Sequence, residues 1–185
     1  MADILLQIFY SLYFFLPAFV ANPSAVLTKG STKMDFGRSF RSGRRILGDG
    51  KSWGGFVGGI VFGYILGLIL FGIAYALGSG INYAFVIPLF SVPILMLSLG
   101  SMLGDVTGSF IKRRLGMSSG QNGFLLDQYP FALMALLLLY IAAPGFFFQV
   151  YWNIPAVLII LIITPPLHRV VNIVGFRMKR KSVPW

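Results

Sequence analysis

The 185-residue chain has no cysteine, no glutamate and only one histidine, His168. Without cysteine there is no disulfide and no thiolate metal centre. One histidine excludes a multi-histidine zinc site within a single chain. Carboxylate chemistry is left to five aspartates, Asp3, Asp35, Asp49, Asp105 and Asp127. Charge of either sign is scarce: 11% of residues are charged, against about 25% in an ordinary soluble domain. The P-loop pattern and a G-x-G-x-x-G following a strand are both missing, which removes the standard nucleotide motifs. No repeat of 20–50 residues, low-complexity tract or separate soluble domain interrupts the chain.

What fills the sequence instead is apolar. Hydrophobic residues make up 57% and the mean hydropathy is +0.82, the composition of a polytopic membrane protein. Apolar runs predict an all-α integral membrane protein, one polytopic domain over 1–185, with five transmembrane helices at about 4–21, 54–77, 83–104, 125–144 and 154–174. Only Asp3 precedes the first run, so it reads as a retained helix rather than a signal peptide. Asn22-Pro23 is expected to end it. Gly55, Gly59, Gly63 and Gly67 recur on one face of the second helix, the spacing that lets another helix approach closely. Pro88 and Pro93 predict kinks in the third helix, and Pro165-Pro166 a break in the fifth. The uncharged, aromatic-rich turn 145–153 suits a membrane interface.

All fifteen basic residues lie in or beside three segments: the loop 22–53, the loop 105–124, and the end of the fifth helix with its tail 175–185. Five crossings put these three on one side. The positive-inside rule then predicts the N-terminus outside, the C-terminus cytoplasmic, and two functional loops facing the cytoplasm.

The richest polar stretch is GRRILGDGKSWGG, Gly43 to Gly55. Glycines admit a ligand close to backbone N–H groups, and the cations favour an anion. The plain alternative is a basic loop that only fixes topology. In the second loop, GDVTGSFIKRRLG from Gly104 to Gly116, Asp105 offers hard oxygens to a cation. Ser109, Lys112 and Arg113 can address phosphate oxygens. If the segment is helical, Asp105, Ser109 and Lys112 share a face. The competing reading is a cation cluster for anionic headgroups, which does not account for Asp105. Asp127 lies inside an apolar segment, where an ionisable group is expensive and functional by default; a first-turn helix acid is the structural alternative. His168 and Arg169 could reach the same cytoplasmic cavity; for His168 a packing role is the preferred reading.

GDVTGSFIKRRLG followed by Asp127-Gln128 resembles the signature of the CTP-dependent phosphatidate cytidylyltransferases, through Gly104, Asp105, Ser109, Lys112, Arg113 and Asp127. Gln121-Asn122-Gly123, Gln128 and Pro130 depart from it. In the first loop, ANPSAVL (21–27), DFGR (35–38) and GRRILGDGKSW (43–53) are similar to the CDP-archaeol synthase branch, with Trp53-Gly54-Gly55 where that branch has Trp-Arg-Gly. The resemblance covers nearly the whole chain. It implies CMP transfer from CTP to 2,3-di-O-geranylgeranylglycerol 1-phosphate with Mg²⁺ as cofactor. Asp105 and Asp127 would hold the metal. Lys112 and Arg113 would contact lipid or CTP phosphates, and Arg44, Arg45 and Lys51 the triphosphate. Asn22, Asp35, Arg38 and Asp49 would shape the loop, Gly48 and Gly50 would admit close backbone approach, and Ser109 would address phosphate. The implied partners are CTP, the ether-lipid phosphate and the bilayer, with no nucleic acid. A membrane transporter or anionic-lipid-binding subunit is the rival class; transporters more often carry inverted repeats and midplane polar groups.

Overall fold

The computed structural model describes residues 2–41, 43–78, 91–152 and 154–179. Among these residues seven helices run α1 (Ala2–Ser24), α2 (Trp53–Ala76), α3 (Val92–Arg114), α4 (Leu125–Gln128), α5 (Pro130–Ala142), α6 (Pro144–Val150) and α7 (Ile154–Arg177). Among the described residues there is no strand, only the isolated bridges Lys33–Ser52 and Ser39–Arg45 in the first loop. Four helices, α1, α2, α3 and α7, are long and apolar enough to cross a membrane; α5, with 13 residues, is shorter.

Close helix approach organises the bundle. Without a strong hydrophobic drive inside lipid, packing of small residues takes over. A Cβ at Gly59 would fall 2.7 Å from the Ala21 carbonyl oxygen, and one at Gly63 2.7 Å from that of Pro17, so the α2 stripe is the seam against α1. A second stripe, Gly100, Gly104 and Gly108 on α3, does the same against α5 and α4. Cβ atoms there would lie 2.5 Å from Ala135 Cα, 2.1 Å from the Pro130 oxygen and 2.6 Å from the Leu126 oxygen. At the opposite end of the bundle an aromatic cluster closes the core. Phe14, Phe71 and Phe146 are almost fully buried, with ring centroids 4.5–5.8 Å apart.

Several boundaries differ from the sequence expectation. The segment 105–114, expected in a loop, continues α3 to Arg114. The glycine seam holds it on α5, and Lys112, Arg113 and Arg114 suit the negative end of the helix dipole. The helix stops in a Schellman turn: Met117 N–H donates to the Lys112 carbonyl (3.0 Å) and Gly116 N–H to that of Arg113 (3.3 Å), with Gly116 at φ +85°. Pro93 sits at the start of α3, where its missing N–H costs nothing, so it makes no kink. Pro88 and the start of the expected helix 83–104 lie outside the described residues.

Helix α1 runs through Asn22-Pro23 to Ser24, and α7 passes Pro165-Pro166 unbroken. Transmembrane helices tolerate such prolines; just before the pair the Thr164 hydroxyl donates back to the Ile160 carbonyl at 2.7 Å. The expected helix 125–144 is divided into α4 and α5. Residues 144–150, expected as an interfacial turn, form α6, which buries Phe146 in the core.

Candidate active site

The continuation of α3 turns a face of charged residues into the space under the first loop. Asp105, Ser109, Lys112 and Arg113 line one polar cavity of about 630 Å³. Asn22 comes to it from α1, Asp49, Gly50 and Lys51 from the first loop, and Asp127 from α4. The conditional reading of the sequence, one face if helical, is the arrangement found.

Two lysine–aspartate pairs span the cavity. Lys51 Nζ donates to Asp105 Oδ2 at 2.5 Å, and Lys112 pairs with Asp127 Oδ1. All four side chains are mostly shielded, with 13–21% exposure. Asp127 also accepts the Gly123 N–H at 2.6 Å. It therefore both sits in the first turn of α4 and lines the cavity. A Cβ at Gly123 would sit 2.4 Å from Lys112 Cδ, so the missing side chain leaves room for the lysine stem. The next residue, Phe124, has φ +47°, a left-handed conformation uncommon for a bulky side chain. Arg113 is 5% exposed and its Nε has no hydrogen-bond partner. Among the described residues no carboxylate lies within ion-pair distance of it, although Asp127 is near enough to act on its charge; a buried guanidinium so placed favours an anion, and this one lines the cavity.

The first loop is held by a separate network. Asp35, whose side chain is fully buried, receives Arg45 Nη2 on Oδ1 (2.7 Å) and Arg45 Nε on Oδ2 (3.2 Å). It also accepts backbone N–H groups of Gly37 (3.1 Å), Leu47 (3.1 Å) and Gly48 (3.2 Å). Burial pushes this carboxyl upward, but the Arg45 guanidinium and the three N–H groups outweigh burial and hold it well below the usual carboxylate range. Gly48 adopts φ +94°, which a side chain would resist. Ser52 then caps α2, its Oγ accepting the Gly55 N–H at 3.1 Å. Lys51 is thus fixed between a braced turn and a capped helix.

The expected site residues divide accordingly. Asn22, Asp49, Gly50, Lys51, Asp105, Ser109, Lys112, Arg113 and Asp127 line the cavity. Asp35, Arg38, Arg44, Arg45 and Gly48 do not. Arg45 is committed to Asp35 and Asp49, while Arg44 Nη1 donates to the Arg114 carbonyl at 3.3 Å. Arg38 is exposed. His168 stacks on Phe131 with centroids 6.3 Å apart and lies 3.1 Å from Asn172, a packing role at the cavity edge.

Sequence reasoning missed Arg114 and Asn172. Arg114 Nη2 donates to the Arg45 carbonyl at 2.7 Å, and its guanidinium lies over Phe40 (4.6 Å) and Phe110 (5.2 Å), clamping the first loop to α3. Nothing in a run of three cations distinguishes it. Asn172, 2% exposed on α7, was detectable as a polar residue one helical turn after His168 in a largely apolar helix.

As metal donors, Asp105 and Asp127 supply hard oxygens. Among the described residues no group of three histidine, cysteine or acidic side chains is assembled. Two carboxylates fit a magnesium-like ion that completes its shell with substrate phosphates and water, not one caged by protein alone.

Comparison with known proteins identifies the family. The CarS-like family, described as CDP-archaeol synthase, matches residues 1–185. The CDP-archaeol synthase of Picrophilus torridus is 50% identical over 183 residues, covering 98% of each chain. That of Archaeoglobus fulgidus is 37% identical over 185 residues, covering 100% of each. A solved structure of an intramembrane enzyme for archaeal membrane lipids biosynthesis superposes with a TM-score of 0.70 at 32% identity, covering 88% of this chain and 92% of that one. The chain therefore belongs to the CDP-archaeol synthase family.

Proposed function

We propose that this chain is a CTP-dependent cytidylyltransferase that makes CDP-archaeol. An oxygen of the phosphate of 2,3-di-O-geranylgeranylglycerol 1-phosphate attacks the α-phosphorus of CTP. The bond from that phosphorus to the bridging oxygen of the β-phosphate breaks, and pyrophosphate leaves with the electron pair. The observation that carries the reading is the meeting of Lys51, Lys112 and Arg113 with Asp105 and Asp127 in one cavity at an end of an apolar bundle.

The lipid phosphate is already ionised at neutral pH, so no side chain has to activate the nucleophile. Catalysis reduces to holding two anions in line and neutralising charge as pyrophosphate departs. Arg113, buried and in no ion pair among the described residues, offers a fixed fork to a phosphate. Lys51 and Lys112 offer point charges on flexible stems, suited to a phosphate that moves. Gly50, with open space beside it, admits the substrate against backbone. Asn22 and Ser109 supply neutral hydrogen-bonding groups to the same cavity. Asp105 and Asp127 would hold Mg²⁺, which when bound screens the phosphate charges. The plain topological reading of the first loop does not explain why Lys51 reaches across to Asp105.

The family and the four long apolar helices support a multi-pass membrane protein. In the proposed topology α5 and α6 together supply the fifth crossing within a single domain, and the cavity opens to the cytoplasm. A cysteine at Ser119, on the cavity rim, should then resist impermeant thiol reagents applied to intact cells and react in inverted membranes. Labelling from outside would reverse the orientation.

The reaction is tested with purified protein in detergent, CTP labelled at the α-phosphate, the lipid phosphate and Mg²⁺. Label should enter the organic phase in step with pyrophosphate release. Label that stays in water with correctly folded protein would sink the proposal.

A further inference from the structure

We propose that Lys51 and Lys112 are built-in place-holders for the divalent cation: they occupy its two carboxylates until the triphosphate draws them away. Metal and nucleotide then bind as a coupled pair. This rests on the cytidylyltransferase reading and adds an order to how its site is charged.

Both carboxylates suited to a metal are engaged by ammonium groups of the same chain, one from the first loop and one from α3. The contacts are unlike the Asp35 pair. Asp35 takes two guanidinium bonds and three backbone N–H groups, so both its oxygens are committed. Asp105 receives only Lys51, on Oδ2, among the described residues. Asp127 receives Lys112 and one backbone N–H. These two acids keep coordinating capacity, and their partners are single charges on flexible stems rather than planar forks. The space for Lys112 beside Asp127 is provided by Gly123.

Charge then dictates the sequence of events. A dication entering alone would displace two ammonium groups and leave them beside it, in a shielded site where like charges repel strongly. With a triphosphate present, the displaced lysines acquire new partners in the same cavity. The lysines therefore hold metal affinity low without nucleotide and raise it with nucleotide. By linkage the metal raises nucleotide affinity by the same factor.

Mn²⁺ is the probe, followed by its EPR signal on the purified full chain in detergent, without lipid substrate and so without turnover. The wild type should bind Mn²⁺ weakly alone and about tenfold or more tightly with CTP, within the usual range of coupling. Lys112→Met and Lys51→Met should each bind Mn²⁺ about fivefold more tightly than wild type without CTP, and gain less when CTP is added. Asp105→Asn should lose the tight Mn²⁺ signal in every background. The two lysines sit on different elements, and Lys51→Gln and Lys112→Gln provide folded replacements should a methionine variant fail. If wild type takes Mn²⁺ with CTP while the lysine variants bind it no better without CTP, the place-holder role is overturned and the metal site stands. If wild type takes no Mn²⁺ even with CTP, the metal reading of Asp105 and Asp127 falls, and this inference with it.

Discussion

The first loop and the α3–α4 wall both set aspartates against cations, in opposite ways. In the loop, Asp35 is fully buried, gripped bidentately by Arg45 and saturated by backbone N–H groups. On the wall, Asp105 and Asp127 each meet one lysine and face a cavity. An acid whose lone pairs are all committed can only brace structure. An acid with spare lone pairs and a mobile counter-ion can exchange partners. The difference fits the proposed division, with Asp35 and Arg45 bracing the loop and Asp105 and Asp127 facing the substrates.

The sharpest break in that comparison is on the wall. Asp105→Asn keeps the shape and removes the charge. Turnover should fall about 100-fold or more, with helical circular dichroism and thermal midpoint kept. Wild-type turnover would move Asp105 from chemistry to scaffold.

Asp35→Asn should do the reverse. It leaves the Arg45 guanidinium without its anion and weakens the support of Leu47 and Gly48. We expect about 2 kcal/mol of destabilisation, below the usual cost of breaking a buried pair because Arg45 is partly solvated. The KM for CTP should rise with it as Gly50 and Lys51 lose their footing. The same acid gives the loop a pH signature. Its folded pKa is depressed, so its stabilisation is complete above the unfolded value of about 3.9. That stabilisation disappears as pH falls from there toward the folded value. Thermal midpoints taken from pH 7 downward should drop more steeply in wild type than in Asp35→Asn. Parallel curves would remove Asp35 as the brace.

Arg114 joins the two regions. Arg114→Gln removes both the stack on Phe40 and Phe110 and the bond to the Arg45 carbonyl. A cation–π contact of this kind is worth about 1 kcal/mol, so a few-fold loss of kcat/KM is expected. In a Lys51→Ala background the same change should cost little more. A fully additive loss would mean that Arg114 does not act by placing Lys51. The smallest effect belongs to Asp49, whose side chain is 60% exposed in its pairs with Lys33 and Arg45. Exposed pairs of this kind contribute little, so Asp49→Asn should leave the thermal midpoint unchanged; a clear fall would show that the outer part of the loop network also bears on the fold.

Particular residues show how far the sequence could be read. The α2 glycine stripe was legible because a four-residue repeat has one structural meaning in an apolar helix. The α3 stripe was missed because Gly108 fell in a segment expected as loop and Gly104 at its edge, where glycine has other uses. The segment 105–114 is only modestly apolar, and hydropathy cannot distinguish a helix leaving the membrane from a loop. Asp105, Lys112 and Asp127 were recognisable from spacing and from the expense of charge near lipid. Arg44 and Arg45 were grouped with Lys51 because adjacent cations look alike in one dimension.

By itself the sequence determined that the chain is a helical membrane protein with its cations segregated into three segments. Hydropathy and charge placement are properties of each stretch alone. It also determined the inventory of chemistry, since five aspartates and no cysteine leave few choices. Tertiary structure decided which cations do which work. Only packing of α3 on α5 through its glycines brings Lys112 to Asp127, and only the Arg114 clamp and the Asp35 brace carry Lys51 across to Asp105. Those contacts join residues 15, 54 and 69 positions apart. Long-range electrostatic pairing depends on where the backbone delivers each charge, and no local pattern encodes that.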